Sequence, residues 1–226
     1  MKKILSLIIV LACALSLFAC GGGNGGNGDL TDIQAINKMY SVSCPTKIET
    51  TSTQLIEGRT LTGTETIIAG KIDGKDAAVY EYSYEQFAAI EDASSSPIVT
   101  TQRRTEYLEG YGTRNNGGSW NAEGADFSPK NGSIAIVLTD ETVENETLSE
   151  DGKTFTCTVK AENTAAVFGE ARAVAADVSV TITTNGTVVT GVVLTYNVAA
   201  TASTPAVAVT ITTNYSYDIE AITLTK

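Results

Sequence analysis

The chain has 226 residues, with 15 basic and 26 acidic side chains, four cysteines and no histidine. Without histidine the commonest general base, the Ser-His-Asp and Cys-His arrangements and imidazole metal ligation are all excluded. A net charge of −11 with no basic patch argues against nucleic acid or an anionic membrane surface as a partner.

The chain begins with signal-peptide logic: Lys2 and Lys3, then an apolar run from Ile4 to Phe18. That run is shorter than the roughly 20 residues a membrane-spanning helix needs. It ends in Leu17-Phe18-Ala19-Cys20, which resembles a bacterial lipobox, where the cysteine is diacylated and becomes the first mature residue. The alternatives are an ordinary secretory signal cut near Ala19, or an uncleaved anchor. The expected organisation is a signal over 1–19, a lipidated Cys20 with a Gly/Asn spacer over 20–28, and one β-rich domain over 29–226. The expected location is outside the cytoplasm, at the cell surface or in a periplasm, tethered to a membrane through Cys20. Losing residues 1–19 leaves 13 basic and 26 acidic residues, a net charge of −13.

Leu30 to Tyr40 reads as a short helix. Thr31 and Gln34 form a capping box, Ile33, Ile36 and Tyr40 (or Met39) share one face, and Pro45 ends the segment. From Thr46 the period changes to two. Strands are expected over Lys47–Ile56, Thr60–Lys71 and Ala77–Phe87, turning at Glu57-Gly58 and Asp73-Gly74, with Ala78, Tyr80, Tyr82 and Tyr84 on one face. Ile90–Pro97 reads as a loop. Thr100–Leu108 resumes as strand, and Tyr111–Thr113 with Ser119–Asn121 flank the Asn115-Asn116-Gly117-Gly118 turn, close to Trp120.

Ile134–Thr139 is expected as a strand and the acidic stretch Asp140–Gly152 as a solvated turn. Lys153–Ala161 alternates, with Phe155, Cys157 and Val159 on one face. Asn163 caps a short helix through Val167 and Phe168, with Gly169 near its end. Asp177–Thr184, Thr187–Val198 and Val207–Tyr217 then alternate strongly, with Asn185-Gly186 as a turn, and Ile219–Lys226 closes the chain. The pattern predicts a mainly β (α+β) fold: a single curved antiparallel sheet, a half-barrel of about ten strands in meander order, with two short helices over the concave face.

The capped helix, the Thr-rich hairpins, the tyrosine strand, the Gly-rich hairpin at Trp120 and the Ala-Val-Phe-Gly helix together resemble the LolA-like half-barrel lipoproteins, the LppX/LprG group among them. The phrases Asp177-Val178-Ser179-Val180-Thr181-Ile182 and Asn214-Tyr215-Ser216-Tyr217-Asp218-Ile219 carry most of the likeness, which spans about Leu30 to Lys226. The resemblance implies a half-barrel with helices in its mouth and a concave face that binds lipid or lipoprotein. It carries over no catalytic or ligand motif.

Candidate lining residues for an apolar cavity are Ile33, Ile36, Tyr80, Tyr82, Trp120, Phe155, Val167, Phe168, Leu194, Tyr196 and Tyr215, with the helices acting as a lid. The same aromatics could instead be core or cross-strand pairs. Cys44 and Cys157 remain outside the leader and Cys20; they read either as a disulfide or as two buried apolar thiols. The run Asp140–Asp151 lacks the glycine and ligand spacing of a calcium loop, Gly110-Tyr111-Gly112 has no helix after it, and Gly117-Gly118-Ser119-Trp120-Asn121 lacks the last glycine of a nucleophile elbow. No metal, cofactor or enzyme activity is expected. The leading reading is a tethered protein that binds a lipid or other apolar ligand; the alternative is an adhesion or structural module with an Ig-like sandwich and no cavity.

Overall fold

The computed structural model describes residues 30–87, 96–122, 136–202, 204–218 and 222–225. The leader, Cys20 and the spacer lie outside the described residues, as do most of 90–97, residues 134–135 and part of 219–226. The chain forms helix α1 (Asp32–Val42), strands β1 (Lys47–Ile56), β2 (Arg59–Ile72), β3 (Lys75–Gln86), β4 (Ile98–Leu108), β5 (Gly112–Asn115), β6 (Val143–Leu148) and β7 (Thr154–Val159), helix α2 (Thr164–Phe168), and strands β8 (Val178–Thr184), β9 (Val189–Val198) and β10 (Val207–Ser216). Short 3-10 turns flank α2 at Ala161–Asn163 and Glu170–Arg172.

All ten strands belong to one antiparallel sheet, ordered β5-β4-β3-β2-β1-β10-β9-β8-β7-β6. It is a curved half-barrel with the two helices on its concave side, and the single sheet replaces the two-sheet sandwich held as the alternative. The order is not one continuous meander. Two meanders are joined at the centre, where β1 pairs with β10 from Lys47–Ser216 to Ile56–Val207. That pairing buries the edges of two ten-residue strands and leaves the short strands β5 and β6 outside, which limits exposed ladder.

The acidic stretch expected as a turn contains edge strand β6. Val143 pairs with Val159 and Leu148 with Phe155, although Val143 and Leu148 are five positions apart. An odd spacing would put them on opposite faces. A bulge between Glu144 and Thr147, with Asn145 at φ 55°, brings both toward the core. Residues 136–139 run outside the strands, where Ile136 and Leu138 are buried. The Asn37 amide from α1 stands in for a strand partner there, donating to the Leu138 carbonyl (2.7 Å) and accepting from its N–H (3.2 Å). Ser119–Asn121 reduces to one bridge, Thr113–Asn121, and residues 222–225 form no strand.

Both faces carry a core. The main one, on the concave side, joins Ile33, Ile36 and Tyr40 of α1 and Val167 of α2 to the inward residues of β6–β10 and to Ile48 and Ile67. The capping box is present, with the Gln34 N–H donating to Thr31 Oγ1 and the Thr31 N–H donating to Gln34 Oε1. A smaller core on the convex side joins Ala77, Val79, Leu108 and Leu224, with Tyr111, Trp120 and Ile222 against it. Beside it the buried Glu106 carboxylate accepts from Arg104 Nε (2.8 Å) and Arg114 Nε (2.5 Å), and Arg104 also donates to Glu81 (2.6 Å). Burial works to raise the Glu106 carboxyl, but the hydrogen bonds and charges of the two arginines outweigh it and hold it below the usual range.

Candidate functional site

Register divides the concave face into two halves. Across β6–β10 the inward positions hold Val143, Phe155, Cys157, Val159, Val178, Val180, Ile182, Val192, Tyr196, Val207, Val209 and Ile211, all buried. The apolar stripes of α1 and α2 seat here because this is the half that offers apolar surface. Both helices are therefore part of the packing: Ile33, Ile36 and Tyr40 are as buried as the strand residues beneath them, and a lid role for α1 is replaced by a core role.

Across β1–β4 the same face carries different chemistry. The two-residue turns fix two rows, Thr50 opposite Glu65 and Glu65 opposite Tyr82, and the β3–β4 pairing sets Tyr82 opposite Arg103. Neighbouring rows place Ser52 beside Gly63 and Tyr84, and Ile48 beside Ile67 and Tyr80. Tyr80, Tyr82 and Tyr84 are half-buried and form a ladder along β3. Their ring centroids are 5.4 Å and 6.4 Å apart, and the rings of Tyr82 and Tyr84 are nearly parallel. Tyr80 donates its hydroxyl to Glu65 (3.2 Å). Thr50 and Thr213 share a hydroxyl contact of 3.2 Å at the floor between β1 and β10. A Cβ at Gly63 would lie 2.7 Å from Ser52 Oγ, so the glycine is what admits that hydroxyl to the row. At the far end Arg59 lies 4.0 Å over the Phe87 ring.

The sequence candidates distribute unevenly over this map. Ile33, Ile36, Phe155, Val167, Tyr196 and Tyr215 are buried members of the main core, and Phe168, Leu194 and Tyr80 pack against it. Tyr82 sits on the open half in the tyrosine ladder. Trp120 is on the opposite face. It packs on the smaller core near Tyr111, under the Arg114 guanidinium at 4.6 Å, because β5 turns it toward the convex side. Glu65, Ser52, Gln54 and Arg103, absent from the sequence candidates, share the tyrosine side; the turns Glu57-Gly58 and Asp73-Gly74 were the signal for the first three, while no tight turn fixes Arg103.

Cys157 is buried in β7, Cys44 is half-buried after α1, and no disulfide joins them in the structure. Burial pushes the Cys157 thiol up to about 12, with the Glu146 charge adding to it, so it behaves as a small apolar side chain. Tyr40 is only 6% exposed, and its hydroxyl has no hydrogen-bond partner among the described residues. Burial is the main cause that holds that phenol well above its ordinary range, with Tyr215, Cys157 and Tyr217 adding to it. Among the described residues no three Cys, Asp or Glu side chains converge to hold a metal, and no helix is long and apolar enough to cross a membrane.

No protein-family profile and no curated protein sequence matches the chain. Among solved structures it is similar to a DUF1329 family protein from Desulfovibrio piger at 7% identity and a TM-score of 0.28, covering 83% of this chain and 92% of that one. It is also similar to MucB, solved in complex with MucA(peri), at 10% identity and a TM-score of 0.15, covering 80% and 92%. What the chain does is therefore read from its own residues.

Proposed function

We propose that this is a lipid-anchored binding protein of the LolA-like half-barrel kind, which holds an amphipathic, lipid-like ligand against the tyrosine ladder of β3. The observation that carries this reading is the division of the concave face. Among the described residues the helices seat mainly on the aliphatic half, and beyond Ile48 and Ile67 the other half presents half-buried rings beside Ser52, Gln54 and Glu65. Such a surface gains from removing apolar area from water, at about 25 cal/mol per Å², while a few polar groups orient the ligand. The lipobox-like Leu17-Phe18-Ala19-Cys20 supplies the tether, and the Gly/Asn spacer gives the domain freedom to reach its ligand. The reading involves no covalent step on the ligand.

The test is to purify the full-length protein from its own host's membranes in mild detergent, extract it with organic solvent, and identify bound small molecules by mass spectrometry. A defined lipid-like species in near-stoichiometric amount is expected. An extract holding only detergent and bulk membrane lipid in bulk proportions overturns the reading. The tether is tested separately. Labelled palmitate should be incorporated by the native chain and not by Cys20→Ala; equal incorporation by both refutes it.

A further inference from the structure

The convex face carries a second, unrelated pattern. Register aligns hydroxyl side chains into rows that cross the sheet. One row runs Thr158, Ser179, Thr195, Thr210, Thr53, Thr62 over six adjacent strands from β7 to β2. One step along, Thr156, Thr181, Thr212, Thr51 and Thr64 repeat it, with Val193 as the single apolar interruption on β9. All of these residues are exposed or half-exposed. Strand spacing puts neighbours in a row about 4.8 Å apart and the two rows about 6.7 Å apart, so the array spans roughly 24 Å across six strands.

Threonine's β propensity explains why it suits these strands. It does not explain why charge is missing. In a chain with 26 acidic residues, a solvated sheet face would ordinarily carry ion pairs, and the third row does, at Glu49, Glu81 and Arg104. The first row meets charge only at its ends, Glu144 on β6 and Glu85 beyond Thr62. The two hydroxyl rows between are an uncharged lattice of O–H and methyl groups.

We propose that this face is a binding surface for an extended, uncharged polysaccharide lying across the strands. The occupant follows from the chemistry of the lattice. A protein partner would find no aromatic or arginine anchors in these rows. A lipid surface would find no apolar or basic patch, and nucleic acid no cations. Thr53 donates to the Thr210 carbonyl (3.5 Å) and keeps its acceptor lone pairs, and the row as a whole offers hydroxyl and methyl groups side by side, which matches the alternating hydroxyl and C–H faces of a sugar chain. The sheet's twist suits a flexible chain better than a flat crystalline lattice. The surface lies opposite the tyrosine ladder and stands or falls independently of it.

The test is retention of the full-length protein on five insoluble neutral polysaccharides: cellulose, chitin, amylose, curdlan and mannan. Retention on at least one is expected, unchanged when salt is raised, and weakened at least tenfold by the triple variant Thr53→Val, Thr195→Val, Thr210→Val. Valine keeps the β-branched shape, so the fold is preserved and circular dichroism confirms it. Tyr82→Ala should leave retention unchanged. Retention on none of the five, retention abolished by salt, insensitivity to the triple variant, or loss with Tyr82→Ala each overturns the proposal.

Discussion

Across β6–β10 the inward positions of the concave face are almost all aliphatic or aromatic, whereas across β1–β4 the buried Ile48, Leu61, Ile67, Ala69 and Ala78 share the face with Thr50, Ser52, Gln54, Glu65 and the tyrosine rings. One continuous sheet supplies both halves, so backbone architecture does not separate them. Side-chain chemistry does: among the described residues the amphipathic helices pack mainly on the first half, with Ile48 and Ile67 joining their core from the second. The proposed ligand site lies where, among the described residues, the apolar stripes of the helices run out.

The comparison is sharpest in stability. Phe155→Ala, which empties a fully buried site in the packed half, should cost about 3–5 kcal/mol in denaturant unfolding. Tyr82→Ala on the open half should cost no more than about 1 kcal/mol. Equal losses would mean the ladder is core after all.

The convex side offers the next effect. Glu106→Gln removes the carboxylate that two arginines share and should cost about 2 kcal/mol, a figure reduced because Arg104 is well exposed. The Glu106 carboxyl is held below its unfolded range in the folded protein, so its contribution is full above the usual carboxylate range and is lost as pH falls through the depressed folded value. The native protein should therefore lose stability on acidification in that window more steeply than Glu106→Gln does. Parallel pH profiles would contradict the assignment.

Two smaller changes separate satisfied from unsatisfied polar groups on α1. Thr31→Ala should cost about 1 kcal/mol by removing the capping box. Tyr40→Phe should do the reverse, stabilising by up to about 1 kcal/mol, because the hydroxyl it removes is buried without a partner among the described residues. Thermal or urea denaturation reads both, and a destabilised Tyr40→Phe would show that the hydroxyl is bonded in solution.

Much of this was legible in the residues. The capping box, the tyrosine alternation on β3 and the strong patterns of β7 to β10 are local signals, and each forms where its period places it. The central β1–β10 pairing was not legible, since it joins segments some 160 residues apart and no turn fixes it. Strand β6 was hidden because a bulge reconciles Val143 with Leu148. Trp120 read as concave lining, because a lone aromatic near a hairpin carries no sign of which face it will take. The divided concave face needed register: two-residue turns define the rows across β1–β3, but only the whole sheet shows that, among the described residues, Tyr80 packs against the main core while Tyr82 and Tyr84 lie beyond it.

The central claim, that the tyrosine half holds the ligand, is tested most directly by native mass spectrometry of the full-length protein from host membranes, comparing the natural chain with Tyr82→Ala and Tyr196→Phe. The account predicts a bound mass on the natural chain and on Tyr196→Phe, and its loss from a folded Tyr82→Ala. A bound mass that survives Tyr82→Ala, or its absence from the natural chain, would contradict it.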